Sequence, residues 1–171
     1  MANDRRVAIT GLGLVSPLGN EVESNWQAAV AGRSGIAAIS HFDPSALPVR
    51  IAGEVRGFDA EPLLGKKDVK KSDRFCQFAI AAADEAVRQA RLEAAGYDSS
   101  RVGVIIGAGM GGIATMERSI AAFLEGGMKK VSPFLIPRLI ANMAPGQIAI
   151  RHGFTGVNYS TSSACASAGH A

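Results

Sequence analysis

A strand-turn-helix unit in the middle of the chain constrains the fold most. Arg101-Val-Gly-Val-Ile-Ile106 is a short apolar run, Gly107-Ala-Gly-Met-Gly-Gly112 follows it, and Ile113 to Glu125 then repeats its apolar residues at helical spacing. An apolar run closed by glycine predicts a buried strand, and a helix directly behind it predicts the crossover of an α/β protein. The chain opens the same way. Residues 7 to 12 (Val-Ala-Ile-Thr-Gly-Leu) predict a buried strand ending in glycine, and Asn20 to Ala31 predicts a helix with Val22, Trp26, Ala29 and Val30 at helical spacing.

Between these two units, Gly32 to Arg56 is rich in Pro, Ser and Gly and predicts an excursion with one short strand at Val49 to Val55. Ser72 or Asp73 is a good N-cap for a long helix that carries Phe75, Phe78, Ala79, Ala82, Ala86 and Ala90 on one face and Asp84, Arg88 and Arg91 opposite. Its small alanines imply close packing. Downstream, the pattern predicts a helix from about Arg138 to His152, a strand at Val157 to Thr161, and a helix beginning at Cys165 and running toward Ala171. A helix start of seven residues without a C-cap cannot hold itself, so the expectation is a partial chain.

At 171 residues, 47% hydrophobic and 19% charged, one domain with a substantial core is expected. The 20 glycines exceed the average share of about 7% and cluster at strand ends, as tight turns require. Met1-Ala2-Asn3-Asp4-Arg5-Arg6 leads into an apolar stretch too short and too broken for a signal sequence or a membrane span, so a soluble cytoplasmic protein is expected, with no membrane partner. Cys76 and Cys165 lack metal-ligand spacing and read as free thiols in a reducing compartment. A net charge of +3 and a pI of 9.1 favour an acidic partner, but without aromatic stacking platforms they do not point to nucleic acid.

Gly107-x-Gly109-x-x-Gly112 fits the dinucleotide fingerprint literally. The acidic ribose anchor should follow about 20 residues on, at the end of a second strand. Glu125 has the distance but stands at a helix end, so a turn that lets backbone pass close to a neighbour is preferred. Gly11-Leu-Gly13 has neither the third glycine nor the acid, and takes the same reading. Lys67, Lys70 and Lys71, beside Lys66, share one helical face, which is either solvated surface or a dock for an acidic partner. Cys165, in Tyr159-Ser-Thr-Ser-Ser-Ala-Cys-Ala-Ser-Ala-Gly-His170, is either a buried structural cysteine or a thiolate favoured by a helix N-terminus, with small neighbours leaving room for substrate. On a helix His170 would be rotated about 140° from it and badly placed to share its proton. His41 and His152 read as structural.

Taken in order, Arg6-Val-Ala-Ile-Thr-Gly-Leu-Gly-Leu-Val-Ser-Pro-Leu-Gly19, Trp26, Gly32-x-Ser34-Gly35-Ile36, Gly107-x-Gly-x-Gly-Gly112, Ser132-Pro-Phe134, Pro137, Asn142-Met143 and Ser163-Ala-Cys165-Ala-Ser resemble the β-ketoacyl synthase family, specifically its type 2, long-chain fatty-acid condensing branch. The resemblance implies that residues 1–171 are the N-terminal half of a layered thiolase-like fold, ending soon after the nucleophile. It implies that Cys165 accepts an acyl chain from acyl carrier protein, with its backbone N–H helping to hold the oxyanion, before decarboxylative Claisen condensation with malonyl-carrier protein. It gives Met110 and Leu135 to the acyl pocket, Lys67, Lys70 and Lys71 to carrier-protein docking, and predicts a homodimer with no metal or cofactor. Two histidines, a lysine and a second oxyanion donor of the family would lie beyond Ala171. A polyketide-type ketosynthase and an inactive fragment are the alternatives. Ser163, where threonine is commoner, and Val157, where proline is frequent, depart from the family pattern conservatively.

Overall fold

Alternating extended and helical segments produce, in order, α1 (Val22–Val30), β1 (Ile36–Ala38), β2 (Ile51–Gly53), α2 (Glu61–Leu64), α3 (Lys66–Lys71), α4 (Arg74–Ala90), β3 (Val104–Gly107), α5 (Ile113–Gly126), α6 (Leu135–Leu139), α7 (Met143–His152) and β4 (Asn158–Thr161). These are taken from a computed structural model that describes residues 6–171. The chain divides into two units, residues 1–58 with 81–96 and residues 59–80 with 97–171.

In the first unit, residues 7–12 do not form the expected buried strand: Val7 is 94% and Ile9 83% exposed. A strand needs a ladder, and among the described residues none lies alongside. The segment instead gives its N–H groups to side chains of α4, Leu12 to Gln89 Oε1 at 2.5 Å and Leu14 to Glu85 Oε2 at 3.0 Å. The alanines of α4 do allow close packing. A Cβ on Gly11 would lie 2.1 Å from the Ala86 carbonyl oxygen, and one on Gly13 would lie 1.7 Å from that of Ala82.

The α1 helix is found, but a different face is buried. Asn25 and Ala28 are inside, while Trp26 and Val30 are exposed. Asn25 causes this rotation, because its amide donates to the Gly19 and Glu21 carbonyls at 2.8 and 2.7 Å and its Oδ1 accepts from the Ser16 hydroxyl. A buried amide with its partners in place is tolerated in the core. The short strand expected at 49–55 is β2, paired antiparallel with β1 in the register Ile36↔Gly53 and Ala38↔Ile51.

In the second unit, Asp73 starts α4, its Oδ1 accepting from the Phe75 N–H at 3.3 Å and its Oδ2 from the Thr115 hydroxyl of α5. Fully buried here are Cys76 and Ile80 of α4 and Ala144, Pro145 and Ile148 of α7. β3 and β4 run parallel, Val104 opposite Asn158 and Gly107 opposite Thr161. β3 is not buried on both faces, since Val104 is inside and Ile105 is 37% exposed.

The single helix expected over 138–152 is two. After α6 the Leu139 carbonyl accepts the Gly112 N–H at 2.9 Å, and Ile140 turns extended at ψ 137 before α7 begins. The carbonyl that would continue the helix is spent on the glycine turn. Among the described residues no helix is long and apolar enough to cross a membrane.

Candidate active site around Cys165

Parallel strands place their following loops side by side at the carboxyl ends, where α/β proteins hold their ligands. Here β3 ends at Gly107 and β4 at Thr161, and the Ala108 N–H reaches the Thr161 carbonyl at 3.0 Å. The glycine turn 107–112 and the serine-rich turn carrying Cys165 therefore meet.

Both turns need their small residues. A Cβ on Gly107 would stand 2.3 Å from the Ser167 carbonyl carbon and oxygen, and a Cβ on Gly109 3.3 Å from the Ala164 carbonyl oxygen. On the other side, Gly111 and Gly112 would strike the Leu139 and Arg138 carbonyl oxygens at 2.4 and 2.2 Å. Backbone of neighbouring segments lies close against all four glycines, as a close-approach turn requires.

Cys165 is exposed and lies on this turn. No α-helix starts there, contrary to expectation. Ala164 sits at φ +50°, a left-handed conformation that a right-handed helix cannot continue, and only a 3₁₀ turn at Ser167–His170 follows. Cys165 therefore does not stand at an α-helix N-terminus.

Four side chains to which the sequence assigned no bracing role hold the loop. Thr161 Oγ1 donates to the Ser167 carbonyl at 2.8 Å, Ser162 Oγ to the Gly109 carbonyl at 3.2 Å, and Ser163 Oγ lies 2.7 Å from His170 Nδ1. Ser167 is 3% exposed; its hydroxyl accepts the Ser163 N–H at 2.9 Å and donates to the Ala164 carbonyl at 2.7 Å. The available signal was the density of Ser and Thr around one cysteine, since such side chains bond local backbone in turns. His170 engages Ser163.

The second cysteine is a different chemical object. Cys76 has no exposed surface, and burial, with the nearby Asp73 charge, pushes its thiol up to about 12. At neutral pH it stays protonated and unreachable, so Cys165 is the thiol available for chemistry. His152 stacks on Phe154 at 5.2 Å, and the His41 backbone N–H donates to Glu54.

The remaining expected residues are dispersed. Met110 stands in the glycine turn, 70% exposed, and Leu135 opens α6 half-buried. Lys67, Lys70 and Lys71 lie exposed on α3, where Lys71 Nζ is 3.7 Å from Asp68 and 5.8 Å from the centre of the Phe134 ring. A cavity of about 600 Å³ adjoins Lys71, lined also by Leu64, Ile80, Phe134, Met143 and Arg151 among others. Met110 and Leu135 are not among its lining residues. Among the described residues no three His, Cys, Asp or Glu side chains gather as metal ligands.

The family model of the beta-ketoacyl synthase N-terminal domain matches residues 4–171. The chain belongs to the β-ketoacyl synthase family. It is 45% identical over 166 residues to 3-oxoacyl-[acyl-carrier-protein] synthase 2 of Vibrio cholerae and 46% identical over 166 residues to that of Coxiella burnetii. Each match covers 97% of this chain and 40% of the relative, so the chain spans well under half the length of the curated synthases it matches. Among solved structures it resembles a type II PKS acyl-carrier protein in complex with its ketosynthase, at TM-score 0.76 and 22% identity over 93% of this chain and 42% of that one. A Beta-ketoacyl synthase from Burkholderia phymatum gives TM-score 0.75 and 26% identity over 97% and 41%. This likeness to ketosynthases shows the α/β, thiolase-like fold, and Gly107, Gly109 and Cys165 are this synthase family member's meeting point of two strand ends.

Proposed function

We propose that residues 1–171 form the N-terminal half-domain of a type 2 β-ketoacyl-acyl-carrier-protein synthase and supply its acyl-accepting thiol, Cys165. The observation that carries this reading is an exposed cysteine on a braced turn at the carboxyl ends of β3 and β4. The Cys165 sulfur attacks the thioester carbonyl of an acyl-carrier protein, a new carbon–sulfur bond forms, and the donor's carbon–sulfur bond breaks. The proton given up by Cys165 ends on the released carrier thiol. The Cys165 backbone N–H is one oxyanion donor for the tetrahedral intermediate. Malonyl-carrier protein then loses carbon dioxide, its carbanion attacks the acyl-Cys165 thioester, and the thiol is released. Met110 and Leu135 shape the acyl pocket, and Lys67, Lys70 and Lys71 receive the acidic carrier protein.

The names of the 45% and 46% identical relatives support fatty-acid elongation over a polyketide pathway, which would use the same thiol in the same way. A homodimeric, cytoplasmic enzyme is part of the same proposal. The test is the intact mass of the full chain and of Cys165→Ala after incubation with medium-chain acyl-carrier protein. One acyl adduct, absent from the variant, is expected. An adduct that persists in Cys165→Ala, or none on the folded wild type, would overturn the assignment.

A further inference from the structure

The turn that presents Cys165 is conformationally improbable for its sequence. Ala164 holds φ +50°, a region unfavourable for any residue with a Cβ, so the surroundings must impose it. Ser167 is the side chain placed to do so. Its hydroxyl bonds the backbone on both sides of Ala164, accepting from the Ser163 N–H at 2.9 Å and donating to the Ala164 carbonyl at 2.7 Å. Its own carbonyl is fixed by Thr161 Oγ1 at 2.8 Å, and its backbone sits against Gly107, where no Cβ would fit. At 3% exposure it has no water to exchange these bonds with. Ser167 therefore anchors the strained residue next to the nucleophile to the ends of β4 and β3 at once.

We propose that Ser167 is a positioning residue for Cys165, locking Ala164 in the left-handed conformation that aims the thiol. It does not touch the acyl group. The proposal rests on Cys165 being the acyl acceptor, and it adds that acceptance depends on aim as well as on exposure. An exposed thiol reacts with a small alkylating reagent from many directions, whereas acyl transfer from a docked thioester needs one approach, and misplacement of about 1 Å costs up to about 100-fold.

The experiment compares wild-type full chain, Ser167→Ala and Ser167→Thr. A nitroxide attached to Cys165 through a disulfide reads the turn directly, because buried Cys76 does not compete for the reagent. The expected spectrum is restricted in wild type and Ser167→Thr, which keeps the hydroxyl, and mobile in Ser167→Ala. In parallel, acylation by acyl-carrier protein is expected to fall about ten-fold or more in kcat for Ser167→Ala with KM unchanged, to recover in Ser167→Thr, and iodoacetamide alkylation to stay within about two-fold. An unchanged spectrum with unchanged kcat in folded Ser167→Ala overturns the proposal, as does a loss that falls equally on alkylation. If Ser167→Ala does not fold, Thr161→Val loosens the same turn from the β4 side and decides by the same two readouts. A wild type that is not acylated at Cys165 refutes the functional reading alone, and the nitroxide spectra still decide whether Ser167 holds the turn.

Discussion

Glu54 is tied into its loop by more donors than any surface carboxylate needs. The Ser40 hydroxyl donates to it at 2.7 Å, the Ser40 N–H at 3.0 Å and the His41 N–H at 3.2 Å, and Arg56 stands 3.5 Å away. The Ser40 hydroxyl and N–H lower its pKa most, against the cost of burial, from an ordinary 4.5 to about 2. A folded pKa below the unfolded one stabilises the protein fully above about pH 4.5, and the contribution is lost as pH falls toward 2. Glu54→Gln should therefore lower the urea midpoint at neutral pH, with the gap to wild type closing below about pH 4.5. A gap independent of pH would mean that the carboxylate charge is irrelevant to this loop. Lys67 and Lys70 stand exposed on α3. If they steer an acidic carrier protein, Lys67→Glu with Lys70→Glu should cut kcat/KM for the carrier-bound donor about ten-fold at low salt and flatten its dependence on ionic strength. A salt dependence identical to wild type would return these lysines to plain solvated surface.

Among elements, glycine substitutions separate packing from propensity. Gly13 is barred from carrying a side chain by the Ala82 carbonyl oxygen, 1.7 Å from its would-be Cβ, whereas Gly146 inside α7 has nothing within 4 Å. Gly13→Ala should destabilise by about 3 kcal/mol or more, while Gly146→Ala should stabilise by about 0.5–1 kcal/mol by removing unfolded-state freedom from a helix interior. Denaturation midpoints of the two variants moving in the same direction would contradict this packing. The same distinction explains what the sequence made legible. α4, α5 and β3 emerge within a few residues of their expected places, because a long amphipathic pattern, a strand closed by glycine and a good N-cap are local signals. The missing strand at 7–12, the division of 138–152 and the non-helical start at Cys165 are decided elsewhere. A strand exists only with a ladder partner, Leu139 gives its carbonyl to distant Gly112, and Ala164 adopts a backbone conformation that no alanine prefers alone. In the site, Cys165 stood out by its neighbours, whereas Ser167 looked like one serine among several until its two hydrogen bonds were in place.

On α5, Ile113, Met116, Ile120 and Leu124 are 52%, 38%, 52% and 77% exposed at spacings of three and four residues, a stripe that lines a shallow cavity of about 450 Å³. Elsewhere Ile150 on α7 is 83% exposed. Apolar patches beyond a few hundred Å² are rare on monomers and drive association when uncovered. The 171-residue chain prepared by itself should therefore sediment as a concentration-dependent mixture and bind an environment-sensitive apolar dye. Replacing Ile120 and Leu124 with lysine should reduce both effects while leaving the helical circular dichroism unchanged, because these side chains face outward and lysine is an adequate helix former. Monomeric sedimentation across the concentration series, without dye binding, would mean that this stripe is too dispersed to act as one surface. Association undiminished by the lysine pair would instead locate the adhesive surface away from α5, at the exposed residues of α7 or of the segment before α1.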